Sequence, residues 1–306
     1  MAADSPVDEH DVGGAAGAAS PWRVAAASVV GTGHVAHGQP CQDAHAYRAM
    51  ADGVLLVAVA DGAGSAARAE DGARVAVASA LEALAAVVEA AGGSAADNTG
   101  GVDWSDRMTA VFQAVRAALE ELANVEWEPL RAFACTLTCA LATHRRLVVG
   151  QVGDGVAVGR GSDGSLFAAS QPQKGEYANE ARFVTMADAL DHVETRVFDG
   201  PLDAVAITTD GLLRLALVLP THEPHAPFFS PLLDFVGQTA EVEQANARLA
   251  AFLASERICA RTDDDKTLVI AVHAPVDAIA AGDPAAGGGS SAHEAADELA
   301  GGSVAP

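Results

Sequence analysis

The sequence predicts an α+β domain built in layers. Short runs rich in Val, Leu and Thr alternate with turn residues, and three longer segments carry apolar residues at helical spacing. The order of these pieces completes the prediction. Strands come first, then two long helices, more strands, a third helix and a last strand, a pattern distinct from strict βαβ alternation. With 306 residues, 50% of them hydrophobic, the chain can bury a sizeable core and is not disordered throughout.

Trp22 to Val30 and Val54 to Ala60 read as the first strands. Glu70 to Ala91 sets Val75, Leu81, Leu84, Val87 and Val88 at helical spacing, and Asp106 to Leu122 does the same with Val111, Val115, Leu119 and Leu122. Ala134 to Thr143, Leu147 to Val152 and Ala204 to Thr209 follow as strands. The stretch LPTHEPHAPFFSPLLDF holds Pro220, Pro224, Pro227 and Pro231, too many for a helix interior, and reads as an ordered loop packing Phe228 and Phe229 on the core. Glu241 to Arg257 is the third helix, with Val242, Leu249, Phe252 and Leu253 on one side, and Thr267 to His273 is the last strand.

Residues 1–20 and 276–306 are rich in Ala, Gly and acid or in Ala, Gly and Ser, and are expected to be disordered tails around a domain over 21–275. The loop GGSAADNTGG at 92–101 is a further soft spot.

Lys and Arg number 18 against 41 Asp and Glu, a formal charge of −23, so there is no basic field for nucleic acid or for an anionic membrane. Cys41, Cys135, Cys139 and Cys259 form neither a disulfide framework nor a CxxC pair, which fits a reducing compartment. Cys135 and Cys139 lie in an apolar stretch and read as small buried hydrophobes. No apolar run approaches about 18 residues. The acidic N-terminus is unlike a signal peptide, and the expected location is the cytoplasm.

The acids are placed informatively. Asp61 follows the strand VLLVAVA and precedes Gly62; Asp154 and Asp210 stand in the same way before Gly155 and Gly211; Asp263, Asp264 and Asp265 come just before the last strand. Asp43, in PCQDAHAY, is expected to precede the turn into the Asp61 strand. A single Asp-Gly pair is ordinary turn chemistry. Several such pairs at strand ends instead suggest carboxylates converging at one end of a sheet sandwich, where their repulsion calls for cations. Hard oxygen ligands without a Cys or His cluster select Mg²⁺ or Mn²⁺ over zinc, and two such ions suit phosphate ester hydrolysis.

The ordered set CQDAHA, VAVADGAGS, VGQVGDGVAVG, AITTDGLL and TDDDKTLVIAV resembles the metal-dependent protein phosphatases of type 2C, in particular their bacterial serine/threonine branch, over Trp22 to His273. The resemblance implies a four-layer α/β/β/α sandwich of two antiparallel sheets flanked by helices, with two Mn²⁺ or Mg²⁺ ions that activate water for attack on phosphoserine or phosphothreonine. It implies Asp61 as the bridging ligand, the Gly62 carbonyl on the second ion, and Asp210 and Asp264 on the first. Asp265 is implied as a partner behind the ligands, Asp43 as the acid that binds metal waters, Gln42 as a cation ligand weaker than a carboxylate, which lowers the affinity expected of the second ion, and Asp154 as the ligand of a third, weaker ion. Asp263 reads as a solvated neighbour. A phosphorylated protein, opposing a serine/threonine kinase, is the implied partner.

Four positions depart from the family pattern. Gln42 replaces a common Glu; Arg214 replaces an acid four residues after Asp210, so a third ion is weak or absent; Ala63 stands where a proton-donating His occurs; and Gly38 stands where an Arg grips phosphate. His34 and His37 are nearby alternatives for proton donation or phosphate binding, or else turn and packing residues. His45, Lys174 and Arg182 are weaker candidates, and His222 and His225 stand far from the carboxylates. The alternatives to an active protein phosphatase are a catalytically weak phosphoprotein-binding scaffold and a phosphatase of small phosphoesters. Retention of Asp61, Asp210 and Asp264 argues against the scaffold, because a binder has no use for three costly acids together.

Overall fold

The computed structural model describes residues 20–91, 102–173 and 181–274. The two expected tails, apart from Ser20, the 92–101 loop and Lys174 lie outside the described residues.

Twelve strands and seven α-helices make up the described chain. In order they are β1 (Trp22–Val29), α1 (Thr32–His37), β2 (Asp43–Ala49), β3 (Leu55–Asp61), α2 (Ala69–Ala90) and α3 (Trp104–Glu126). Next come β4 (Leu137–Thr143), β5 (Arg146–Val152), β6 (Val156–Gly161), β7 (Leu166–Ala168), β8 (Glu194–Asp199) and β9 (Leu202–Thr208). The chain continues with α4 (Leu213–Ala216), β10 (Leu217–Val218), β11 (Glu223–Pro224), α5 (Ala226–Gln238), α6 (Val242–Leu253), α7 (Glu256–Cys259) and β12 (Lys266–His273). One five-stranded sheet runs β2-β3-β4-β5-β8 and the other β1-β12-β9-β6-β7, with every pairing antiparallel. The last strand lies between β1 and β9, and the Ala274 amide donates to the Pro21 carbonyl at 2.7 Å.

Strand alternation builds three apolar layers from single runs. In β3, Leu55, Val57 and Val59 face the other sheet, while Leu56, Ala58 and Ala60 pack under α2 and α3 with Leu84, Val88, Phe112 and Leu119. In β12, Val269 and Ala271 point into the inter-sheet layer, and Leu268, Ile270 and Val272 meet α5 and α6 through Phe229, Leu232, Leu249 and Leu253. Burial on both faces is why these strands read as continuous hydrophobic runs. The result is the four-layer sandwich of helices, two antiparallel sheets and helices.

The expected strands and helices are present with ends shifted by a few residues. Three corrections apply. The proline-rich segment is helical over α5, because Pro227 sits in the first turn, where no intrahelical donor is needed, and Pro231 forfeits a single bond early in the helix. Burial of Phe228, Phe229, Leu232, Leu233 and Val236 on one face outweighs that loss, and the two phenylalanines do pack on the core. Glu241 to Arg257 is not one helix but breaks at Ala254–Ser255 between α6 and α7. Asp43 precedes the turn into β3 only across a whole unexpected strand, β2, of which it is the first residue and whose short side chains give no strand signal.

Candidate metal centre

The carboxylates gather where strand ends of both sheets meet. Asp61 ends β3 directly opposite Asp43, which begins β2. Its amide donates to Thr136 Oγ1 at 3.0 Å and its carbonyl accepts from the Thr136 amide at 2.8 Å, so β4's approach fixes its backbone. Asp210 opens a 3₁₀ turn at the end of β9, and Asp154 lies in the β5–β6 loop. Gln151 shapes that loop, its Nε2 donating to the Gly153 and Gly155 carbonyls at 2.8 and 2.7 Å. Gln173 Oε1 accepts from the Gly153 amide at 2.9 Å.

One carboxylate oxygen each from Asp61, Asp154 and Asp210 lies within 4.8 Å of the others. Among the described residues this is the one such group of three. Asp264 is exposed and stands outside the trio, with its Oδ1 accepting from the Asp265 amide at 2.9 Å. Its charge is nonetheless felt at Asp61, Asp154 and Asp210. Glycine is required where backbones converge: a Cβ on Gly211 would sit 1.9 Å from the Asp265 carbonyl oxygen, and one on Gly62 2.8 Å from Ala69 and from the Gln42 carbonyl oxygen.

Burial and mutual repulsion raise every acid in the trio. Asp61 is raised well above its ordinary value by burial first, then by Asp43 and Asp210. Asp210 is raised by burial and then by Asp264, and Asp154 is pushed up to about 7 by burial and then by Asp210. Asp43 is raised well above its ordinary value by burial and by Asp265, although Thr209 Oγ1 donates to its Oδ2 at 2.8 Å. Buried Gln42 Oε1, Asp43 Oδ1 and Asp154 Oδ1 have no hydrogen-bond partner. Buried oxygens are normally paired, so unpaired acceptors beside raised carboxylates fit a hard divalent cation and its waters. The residues present suit Mg²⁺ or Mn²⁺.

Asp265, buried, ties the site's rear together. Its Oδ1 accepts from the Gly31 amide and its Oδ2 from the Gln42 amide, each at 2.6 Å. His34 Nδ1 lies 2.9 Å from Asp265 Oδ1, in contact but not aligned for a hydrogen bond. The fully buried Lys266 does not pair with these acids; its Nζ donates to the Val30 and Asp264 carbonyls at 3.3 and 3.2 Å.

The other candidates lie elsewhere. His37 is exposed, with Nδ1 2.7 Å from the Gly33 carbonyl oxygen, and Gly38 is the left-handed residue ending α1. His45 Nδ1 is 2.8 Å from Ser28 Oγ. Arg182 pairs with Asp188 at 3.3 Å, and Asp263 is exposed. His222 lies in the β10–β11 turn and His225 caps α5. Ala63 is buried and Arg214 is exposed on α4. Sequence reasoning missed Thr209, Thr136, Gln151 and Gln173. Thr209 alone left a signal, being the residue before Asp210 in AITTDGLL.

Comparison with known proteins points one way. The family described as Protein phosphatase 2C matches residues 30–254. A curated relative, Serine/threonine-protein phosphatase 3 of Escherichia coli strain K12, is 35% identical over 263 residues, spanning 83% of this chain and 99% of its own length. Among solved structures, the catalytic domain of serine threonine protein phosphatase PstP in complex with 2 manganese ions is 20% identical with a TM-score of 0.52, covering 83% of this chain and 99% of its own. The serine/threonine phosphatase Stp1 from Staphylococcus aureus is 12% identical with a TM-score of 0.53, covering 84% and 96%. These two likenesses concern the fold.

Proposed function

Because the chain belongs to the protein phosphatase 2C family, we propose that it is a metal-dependent serine/threonine phosphoprotein phosphatase working with two Mn²⁺ or Mg²⁺ ions. The observation that carries the reading is the convergence of Asp61, Asp154 and Asp210 beside the unpaired oxygens of Gln42, Asp43 and Asp154. When bound, the cations supply a water acidified enough to attack phosphorus and neutralise the phosphoryl oxygens.

The chain's residues do the rest. Asp61, Asp210 and Asp264, with the Gly62 carbonyl, hold the catalytic pair. Asp154 completes the trio with Asp61 and Asp210 and is the ligand of any further ion. Asp43, fixed through Oδ2 by Thr209, keeps Oδ1 free to accept from and orient a water, and Gln42 Oε1 does the same. His34 is the proton donor to the leaving alkoxide, its imidazole set beside the buried Asp265 with Nδ1 2.9 Å from Oδ1. His37, engaged with the Gly33 carbonyl at an exposed position, is the weaker candidate for that step.

The substrate is a phosphoserine or phosphothreonine protein, opposing a serine/threonine kinase. A cytoplasmic setting is supported by four free thiols, Cys41, Cys135, Cys139 and Cys259. No helix among the described residues is long and apolar enough to cross a membrane.

Chelator-stripped protein titrated with Mn²⁺ and Mg²⁺ on a phosphothreonine peptide and on p-nitrophenyl phosphate tests this. Metal-dependent turnover is expected. Folded protein silent with every metal would overturn it in favour of a phosphoprotein-binding scaffold.

A further inference from the structure

We propose that Arg214 is the cation that grips the substrate's phosphoryl group, an assignment that rests on the phosphatase reading and adds the binding residue it lacks. A phosphate ester approaching Asp61, Asp154, Asp210 and Asp264 meets a strongly acidic surround on a chain of formal charge −23. Bound cations neutralise part of it; holding the dianion still calls for a fixed positive group at the rim. Most cations near the site are committed elsewhere. Arg68 is paired with Asp71 and Glu126, Arg182 with Asp188, and the Lys266 ammonium with backbone carbonyls in the interior. His34 is turned onto Asp265.

Arg214 differs from all of these. It stands four residues after Asp210, the 3₁₀ turn Asp210–Leu212 running directly into α4, Leu213–Ala216. At a rise of about 1.5–2 Å per residue the four steps from Asp210 to Arg214 cover about 6–8 Å, a span that a guanidinium on its three-methylene stem can bridge. Its side chain is exposed, and among the described residues it has no ion pair or hydrogen bond, so moving it onto a ligand breaks nothing. A planar guanidinium matches two phosphoryl oxygens at once, which an ammonium does not.

The test is titration calorimetry of inorganic phosphate into Mn²⁺-loaded wild type, Arg214→Ala, Arg214→Lys and Arg107→Ala, with p-nitrophenyl phosphate kinetics alongside. Arg214→Ala should weaken phosphate binding and raise KM about tenfold or more with kcat little changed. Arg214→Lys should recover part of that loss, and Arg107→Ala, which removes the same charge from the exposed face of α3, should match wild type. Equal phosphate affinity in Arg214→Ala and wild type overturns the assignment. So does a gain in Mn²⁺ affinity in Arg214→Ala without a change in phosphate affinity, because the guanidinium would then only repel cations. Phosphate binding is read without turnover, so an inactive wild type that binds phosphate through Arg214 would sink the phosphatase reading and leave this one standing.

Discussion

Asp43 and Asp61 face each other across the β2–β3 ladder, the first residue of one strand against the last of the next. Directly opposed residues put their Cβ atoms about 5 Å apart on one face, where like charges destabilise. Only cations make both tolerable when ionised. Asp61→Asn keeps the shape and removes one charge, so hydrolysis should fall at least about 100-fold as transition-state charge stabilisation is lost, while the metal-free melting temperature holds or rises. Turnover near wild type in saturating Mn²⁺ would contradict the ligand assignment.

The same acids make stability depend on pH in a defined direction. Asp154, with an ordinary value of 3.8, is pushed up to about 7, and Asp61, Asp43 and Asp210 are raised too. Without cations the folded state holds protons that the unfolded state has released, so stability declines as pH climbs from about 4 through 7. Chelator-stripped protein should melt progressively lower from about pH 5 to pH 8. The rise in melting temperature on adding Mn²⁺ should widen over that interval, because cations then displace fewer protons.

Gly211 separates metal binding from general stability. The 1.9 Å approach of an added Cβ to the Asp265 carbonyl oxygen forces the Asp264–Asp265 backbone away from Asp210. Gly211→Ala should lower Mn²⁺ affinity by calorimetry more than it lowers the urea midpoint. An unchanged Mn²⁺ isotherm would show that the two segments need not touch.

At the other end of β12, His273 stacks near His144 with ring centroids 4.9 Å apart and meets the Trp22 ring edge-on at 5.0 Å. Burial first, then His144, lowers its value below 6.5, against an opposing pull from Asp203. The unfolded chain therefore takes up this proton first, and stability is lost as pH falls below about 6.5. In Mn²⁺-loaded protein, where cations offset the site acids, His273→Asn should raise the urea midpoint at about pH 5 relative to that at about pH 7.

Phe229, a fully buried residue of α5, lies in the apolar layer outside the second sheet. Phe229→Ala should cost about 3–5 kcal/mol of unfolding free energy. Well below its melting point, the variant should keep kcat and Mn²⁺ affinity. A parallel loss of Mn²⁺ affinity would show that the helical layer helps place Asp210 and Asp264.

Much of this was legible in the chain because two-sided burial writes long apolar runs: Leu55 to Ala60 and Leu268 to Val272 announce central strands and, by their ends, the places of Asp61 and Asp265. Strands with little aliphatic content stayed hidden, as with Asp43–Ala49 and the edge strand Glu194–Asp199, since pairing to a neighbour rather than burial makes them strands. The proline count in Ala226–Gln238 hid a helix whose spacing of Phe228, Phe229, Leu232, Leu233 and Val236 was plain. At the site, the residue types were readable but their grouping was not. Asp154 stands with Asp61 and Asp210 while Asp264 stands apart, a matter of loop paths that Gln151 and Gln173 set from a distance.

The position of β12 between β1 and β9 bears on how the molecule is made. On the ribosome the chain emerges from its N-terminus, and β1 must wait without its strand partner until almost the whole domain has been synthesised. The helices α2 and α3 and the strands they cover can settle early, since those contacts close within their own half of the chain. The second sheet is completed only when Lys266–His273 has emerged, and Asp264 and Asp265 arrive immediately before it. Asp264 and Asp265 therefore join Asp43, Asp61 and Asp210 only after the rest of the domain has emerged, when free cations can enter with them.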